Sequence, residues 1–251
     1  MENYKSYAEL KRLARMQMGG RTGVLIGAMV LSNLITYAAS YIVAAIIPTS
    51  SPVMYILNYV VTFMVQLISA VLQTGLCLLH LHAACNMECR ISDLFYAFKN
   101  NPDKSIKIGA VLAVIQAICM IPCDIMQRDL VLIDYLELND TKQLMAAYSA
   151  VTSFYAVVVL CMLVYFVVTL AFFPVYYMVL DFPNLSAGEI LRKSVAIMKG
   201  NKVRYFLLVA SFLPIILLSS ITCGIALLWV MPYMSMTSTN FYLDLISMRR
   251  D

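Results

Sequence analysis

Three side chains near the end of a long apolar run have types and spacing that could hold a metal ion. His82, Cys85 and Cys89 fall at i, i+3 and i+7 of one helical face, with His80 and Glu88 close by. Imidazole and thiolate are zinc ligands, but a closed structural site needs a fourth donor, and none is evident at this spacing. Cys119 and Cys123, at i and i+4, have no histidine beside them. The seven cysteines (77, 85, 89, 119, 123, 161 and 223) form no CxxC pair, and most lie inside apolar runs, where a thiol behaves as a small hydrophobe. These residues read as packing residues, so no metal, cofactor or disulfide framework is expected. The sequence carries no HExxH, no GxSxG and no phosphate-binding glycine loop, and neither histidine stands beside an evident nucleophile. The expectation is a protein without catalytic residues.

Polar residues repeated at helical spacing are more informative. Thr62, Gln66, Ser69, Gln73 and His80 step along one face of an apolar run, and Tyr233, Thr237, Asn240 and Asp244 do so in another. Asn33, Tyr37 and Ser40 form a shorter stripe. Polar groups in hydrocarbon seek partners, so such faces are expected to point inward. Interhelical hydrogen bonding is the simpler role. The alternative is a polar cavity for a small solute or lipid headgroup, lined by Asn33, Tyr37, Gln66, Gln73, Tyr233, Thr237 and Asn240. No Asp, Glu, Lys or Arg is central in any of these runs, which argues against a proton- or ion-coupled carrier.

The elements that must position these stripes are set by composition. The chain is 62% hydrophobic and 13% charged, with a mean hydropathy of +0.81. Soluble domains carry about 45–50% apolar and about 25% charged residues. The apolar runs are continuous rather than alternating, so the fold class is an all-α membrane protein rather than a barrel. Six transmembrane helices are predicted, at about 24–47, 53–79 (continuing towards 85), 106–125, 144–180, 203–219 and 225–246. The fourth is longer than a bilayer needs, and Pro174 is where it should bend. The first two are separated by an uncharged turn, Pro48-Thr49-Ser50-Ser51-Pro52, and an acidic stretch with Asp129, Asp134, Glu137 and Asp140 follows the third.

Charge placement gives the orientation. All of the 18 Lys and Arg except Arg128 and Lys142 fall at the two termini or in the loops after spans two and four. By the positive-inside rule both termini are cytoplasmic. That distribution matches membrane topology so closely that nucleic-acid binding is unsupported. Short amphipathic helices are expected before spans one, three and five, each laying an apolar face on the acyl boundary. Ser6 with Glu9 and Ser186 with Glu189 fit capping boxes, and Ser92 fits an N-cap. On the first, Leu10, Leu13 and Ala14 share a face. On the third, Ile190, Leu191, Val195 and Met198 do. Their Lys and Arg would meet anionic headgroups, each worth about 1 kcal/mol near such lipid. The first 21 residues are too structured for a signal peptide, and no cleavage is expected.

Offset by 180 residues, Ser6, Glu9, Arg12, Met18 and Gly20 lie over Ser186, Glu189, Arg192, Met198 and Gly200. Ser92-Asp93-Leu94 starts a shorter third version. The chain can be divided into a single polytopic domain of three units, 1–88, 89–182 and 183–251, each an interfacial helix plus a helical hairpin. True duplication and convergence imposed by membrane topology both account for this pattern.

Met198-Lys199-Gly200-Asn201-Lys202, Ser211-Phe212, the run from Gly224 to Tyr233 and Asn240-Phe241-Tyr242 resemble the ending of the DUF975 family, and Ser92-Asp93-Leu94-Phe95 resembles its connector. Val203 stands where that family often has an aromatic, and Met18-Gly19-Gly20-Arg21 departs from its N-terminal pattern. The resemblance implies a multi-span protein of the bacterial cytoplasmic membrane and transfers no functional residue. The expected function is a non-enzymatic accessory or partner component of envelope or transport machinery, bound to another membrane protein or to its own copies. The alternative is a small-solute or lipid transporter.

Overall fold

In the computed structural model, residues 4–47, 51–100, 102–131 and 141–248 are described, and no strand occurs among them. Pro48-Thr49-Ser50 of the first expected turn, Asp134, Glu137 and Asp140 of the acidic stretch, and the terminal Arg249-Arg250-Asp251 lie outside these residues.

Each helix boundary has a local cause. α1 (Tyr7–Met18) starts where the Ser6 hydroxyl accepts from the Glu9 amide and stops at Gly19-Gly20, with Gly20 at φ +75°. α2 (Thr22–Ile46) leads to α3 (Pro52–Ala84), whose Pro52 occupies the first turn behind a Ser51 cap. A 3₁₀ turn over Ile91–Phe95 runs into the short α4 (Tyr96–Lys99), followed by α5 (Pro102–Val131) and α6 (Thr141–Thr169). Ser92 lies inside that turn instead of capping it. The cap is Arg90, whose amide donates to the Asp93 carboxylate. Pro174 breaks the long fourth segment, as its residue type requires: helix gives way to a 3₁₀ turn over Leu170–Phe172, and Pro174 becomes the N-cap of α7 (Val175–Asp181).

α8 (Ala187–Met198) carries a full Ser186–Glu189 capping box. The expected fifth span is divided into α9 (Lys202–Ala210) and α10 (Leu213–Ser219), because Pro214 cannot donate to a continuous ladder. α11 (Leu227–Ser247) ends the described chain.

Among the described residues, five helical segments are long and apolar enough to cross a membrane: Thr22–Ile46, Ile56–Ala84, Pro102–Met126, Leu144–Asp181 and Lys202–Thr222. α11, expected as the sixth, is 21 residues long but less apolar. Its second half carries Thr237, Thr239, Asn240 and Asp244, all buried by protein.

The chain forms two compact units, one of Met1–Ala110 with Ala171–Asp251 and one of Val111–Leu170. In the second, the Tyr165 hydroxyl donates to the Gln116 side chain at 3.4 Å, and Cys123 and Cys161 are buried beside one another. In the first, the core joins Ala14 and Met18 of α1, Leu25 and Ala28 of α2, Leu72, Leu76 and Leu79 of α3, Leu94, and Met236 of α11. The 3₁₀ turn lies so close to α3 that a Cβ on Gly75 would sit 2.0 Å from the Leu94 carbonyl oxygen.

The amphipathic helices differ from the expectation. Leu10 and Ala14 are fully buried by protein and unavailable to an acyl boundary, because α1 packs along α11. On α8 the buried face is Ile190, Ser194, Ile197 and Met198, while Val195 is exposed. The face is rotated because the Ser194 hydroxyl donates to the Ala171 carbonyl at 2.9 Å. The correspondence at an offset of 180 residues extends to conformation: α1 and α8 have equal length, equivalent serine caps and left-handed Gly20 and Gly200, and α2 and α9 begin at equivalent positions.

Candidate functional site

α11 is the polar hub of the larger unit. Its helical spacing puts Asn240 and Asp244 one turn apart, facing α1. The Asn240 amide donates to the Gln17 side-chain oxygen at 2.8 Å, and Gln17 in turn donates to the Ala84 carbonyl at 3.1 Å, so one chain of bonds ties α11, α1 and the end of α3. On another face, Thr239 meets the Tyr177 hydroxyl at 3.0 Å, and the Tyr242 hydroxyl donates to Asp181 at 2.5 Å while its ring stacks on Tyr177.

Asp244 is the charged end of this hub. Its carboxylate accepts from Arg204 at 2.6 Å and from the Lys5 amide at 3.3 Å, and its side chain is 2% exposed. The same guanidinium donates to the Lys5 carbonyl and lies over the rings of Tyr4 and Phe241. Nearby, the Lys11 ammonium sits over the Phe212 ring and donates to the Ser211 carbonyl. Partial burial, with Arg15 adjacent, pulls its pKa below the usual lysine value. The N-terminal segment, the end of α3, the turn after α7 and the end of α11 therefore gather at one end of the unit. Lys104 bonded to the Pro183 carbonyl and Arg21 bonded to Asn86 belong to the same end.

The seven residues expected to line one cavity fall into two groups. Tyr233, Thr237 and Asn240 belong to the hub: Thr237 donates to the Tyr233 carbonyl, and the Tyr233 side chain meets Arg15. Asn33, Tyr37, Gln66 and Gln73 lie elsewhere, on the antiparallel pair α2–α3. Thr36 and Ser69 fix the register of that pair with a 2.8 Å hydroxyl contact. Asn33 and Ser40 stand one turn either side of Thr36, and Gln73 and Gln66 one turn either side of Ser69. Rotation at 3.6 residues per turn carries all four, with Tyr37, to the same flank of the hairpin. Asn33, Tyr37, Ser40 and Gln73 are exposed and Gln66 is half-buried. Among the described residues, none hydrogen-bonds to the amides of Asn33, Gln66 or Gln73.

The candidate zinc ligands are otherwise engaged. His82 Nδ1 lies 3.2 Å from the Asp93 carboxylate, and Cys89 points its thiol at the Leu79 carbonyl. Burial pushes the Cys89 thiol pKa up, which disfavours the thiolate that a metal needs. Among the described residues, no three of His, Cys, Asp and Glu gather into a cluster that could hold a metal ion.

Sequence reasoning missed Gln17, Arg204 and Asp181 as partners. The available signal was that Arg204 and Asp244 are charges of opposite sign near the ends of otherwise apolar segments, but spacing alone pairs no residues across helices.

The described residues define a helical protein with five segments fit to cross a membrane, and buried hydrogen bonds gather α1, α3, α7, α9 and α11 at one end of the larger unit. The chain belongs to the DUF975 family, described as "Protein of unknown function", which matches it over residues 1–249. No curated protein matches the chain, and no solved structure does.

Proposed function

We propose that this chain is a non-enzymatic component of the bacterial cytoplasmic membrane, an accessory or partner of envelope or transport machinery. The observation that carries the reading is the Asn240–Gln17–Ala84 chain of hydrogen bonds. Where a carrier would need a polar route, the polar groups of α11 are spent on one another and on neighbouring helices. Such contacts average about 0.6 kcal/mol each in membrane proteins, enough to fix a packing but too little to signal a site.

In this reading α11 is a sixth crossing. Its 21 residues span about 31 Å at 1.5 Å per residue, matching a hydrocarbon core of about 30 Å. Its modest hydropathy goes with its burial. The distribution of basic residues supports cytoplasmic termini, with exposed Arg12, Lys99, Lys107, Arg192 and Lys199 towards anionic headgroups. The matched α1 and α8 favour duplication of a helix-plus-hairpin unit.

Crosslinking and mass spectrometry in native membranes test the role: a reproducible protein partner is expected, and its absence sinks the reading. In a variant lacking the native cysteines, a cysteine at Thr237 or Asn240 should resist water-soluble thiol reagents, whereas a carrier pathway would label it. A cysteine at Asp134 should be labelled from outside the cell and one at Lys193 should not.

A further inference from the structure

We propose that the amide-bearing flank of the α2–α3 hairpin is a self-association surface, occupied by the same flank of a second copy of this chain. Asn33 stands eleven residues after Thr22, where α2 begins, and Gln73 eleven before Ala84, where α3 ends. At 1.5 Å per residue both lie about 16 Å from those ends, near the middle of the hydrocarbon. Ser40 and Gln66 form a second polar layer about 10 Å deeper along the hairpin. An amide left in hydrocarbon without a partner is costly, and the amides of this flank have none among the described residues. α2 is also the span with the smallest buried share, 11%.

The occupant follows from chemistry and symmetry. A primary amide is both donor and acceptor, so Asn and Gln complement their own kind. Two copies inserted in the same orientation are related by a two-fold axis along the membrane normal, which keeps every residue at its own depth. The Asn33–Gln73 layer of one copy then meets the same layer of the other, and the Ser40–Gln66 layer likewise. No Asp, Glu, Lys or Arg lies in α2 or α3, so the two flanks meet without charge repulsion. Tyr37, Val30 and Tyr41, all exposed, supply the surrounding contact area. This inference is independent of the accessory role, since a dimer could serve that role or another.

The test uses the full chain in native membranes, with the seven native cysteines replaced and a single cysteine at Asn33. Oxidative crosslinking should give a species of twice the mass, and a cysteine at exposed Leu217 of α10 should not. Equal crosslinking at both positions, or capture of a different protein at Asn33, overturns the proposal. Independently, the unmodified protein in nanodiscs should be dimeric by native mass, and Asn33→Leu with Gln73→Leu should weaken dimerisation about tenfold or more while its helical circular dichroism stays that of the folded chain. A wild-type protein that stays monomeric, or a double variant that dimerises as tightly as wild type, overturns it as well.

Discussion

Arg204 and Asp244 lie 2.6 Å apart at one end of the larger unit, and the Lys5 backbone bonds to both, closing over the pair. Removing one partner leaves the other charge buried and uncompensated, which costs about 3–5 kcal/mol. Arg204→Met and Asp244→Asn should therefore each destabilise the protein by that order in thermal unfolding in detergent. Combining Arg204→Met with Asp244→Asn should cost clearly less than the sum of the two single changes. Simple additivity of the two would show that the contact carries no coupling.

Gly75 and Gly23 should respond oppositely to the same substitution. A Cβ on Gly75 would meet the backbone oxygen of Leu94 at 2.0 Å, and backbone cannot swing aside as a side chain can. Gly75→Ala should cost about 1–3 kcal/mol or detach the Ile91–Phe95 turn from α3. Gly23, within α2, has open space at its Cβ, so Gly23→Ala should be neutral or stabilising by up to about 1 kcal/mol. Equal effects of the two would contradict the close approach of turn and helix.

Helix ends, breaks and the helical class with its long apolar segments were legible because each depends on local residue types. Pro174, the Ser186–Glu189 box and the glycines after α1 and α8 dictate their own conformations. The polar stripes were visible too, but their partners were not. Spacing places Thr237 and Asn240 on related faces of α11 without telling whether a cavity or Gln17 stands opposite. The rotated face of α8 was hidden for the same reason. Ser194 goes inward, where its hydroxyl donates to the Ala171 carbonyl 23 residues earlier, a partner that spacing within α8 does not reveal. Pro214 was a further local signal, marking the break between α9 and α10.

The N-terminus of α8 should be sensitive to acid. Hydrogen bonds from the Ser186 hydroxyl and amide hold the Glu189 carboxyl below its ordinary value, with Arg192 adding a smaller attraction. A depressed folded value means that the unfolded chain binds the proton more tightly, so protonation favours unfolding. The contribution is complete above the ordinary carboxylate pKa and is lost as pH falls through the lowered one. Protection of the Ser186 amide, measured relative to its intrinsic exchange rate, should fall across that window, and Glu189→Gln should remove that change in protection. An unchanged profile in the variant would assign the titration to another group.

The Asn240–Gln17–Ala84 chain tests how much specificity a buried polar relay adds to an apolar bundle. Asn240→Leu removes the donor to Gln17 but leaves Gln17 free to keep its bond to Ala84. The expected cost is therefore about one membrane hydrogen bond, 0.6 kcal/mol on average and up to about 1.7. Gln17→Leu removes both links and orphans the buried Asn240 amide, so it should cost more than Asn240→Leu. Adding Asn240→Leu to Gln17→Leu should then restore part of the loss, because no unpaired amide remains. Thermal unfolding of the three variants gives the ranking. If Gln17→Leu proved the milder single change, the relay would not run through Gln17, and the docking of α1 on α11 would rest on Leu10, Ala14 and Met18 with the Arg15–Tyr233 contact.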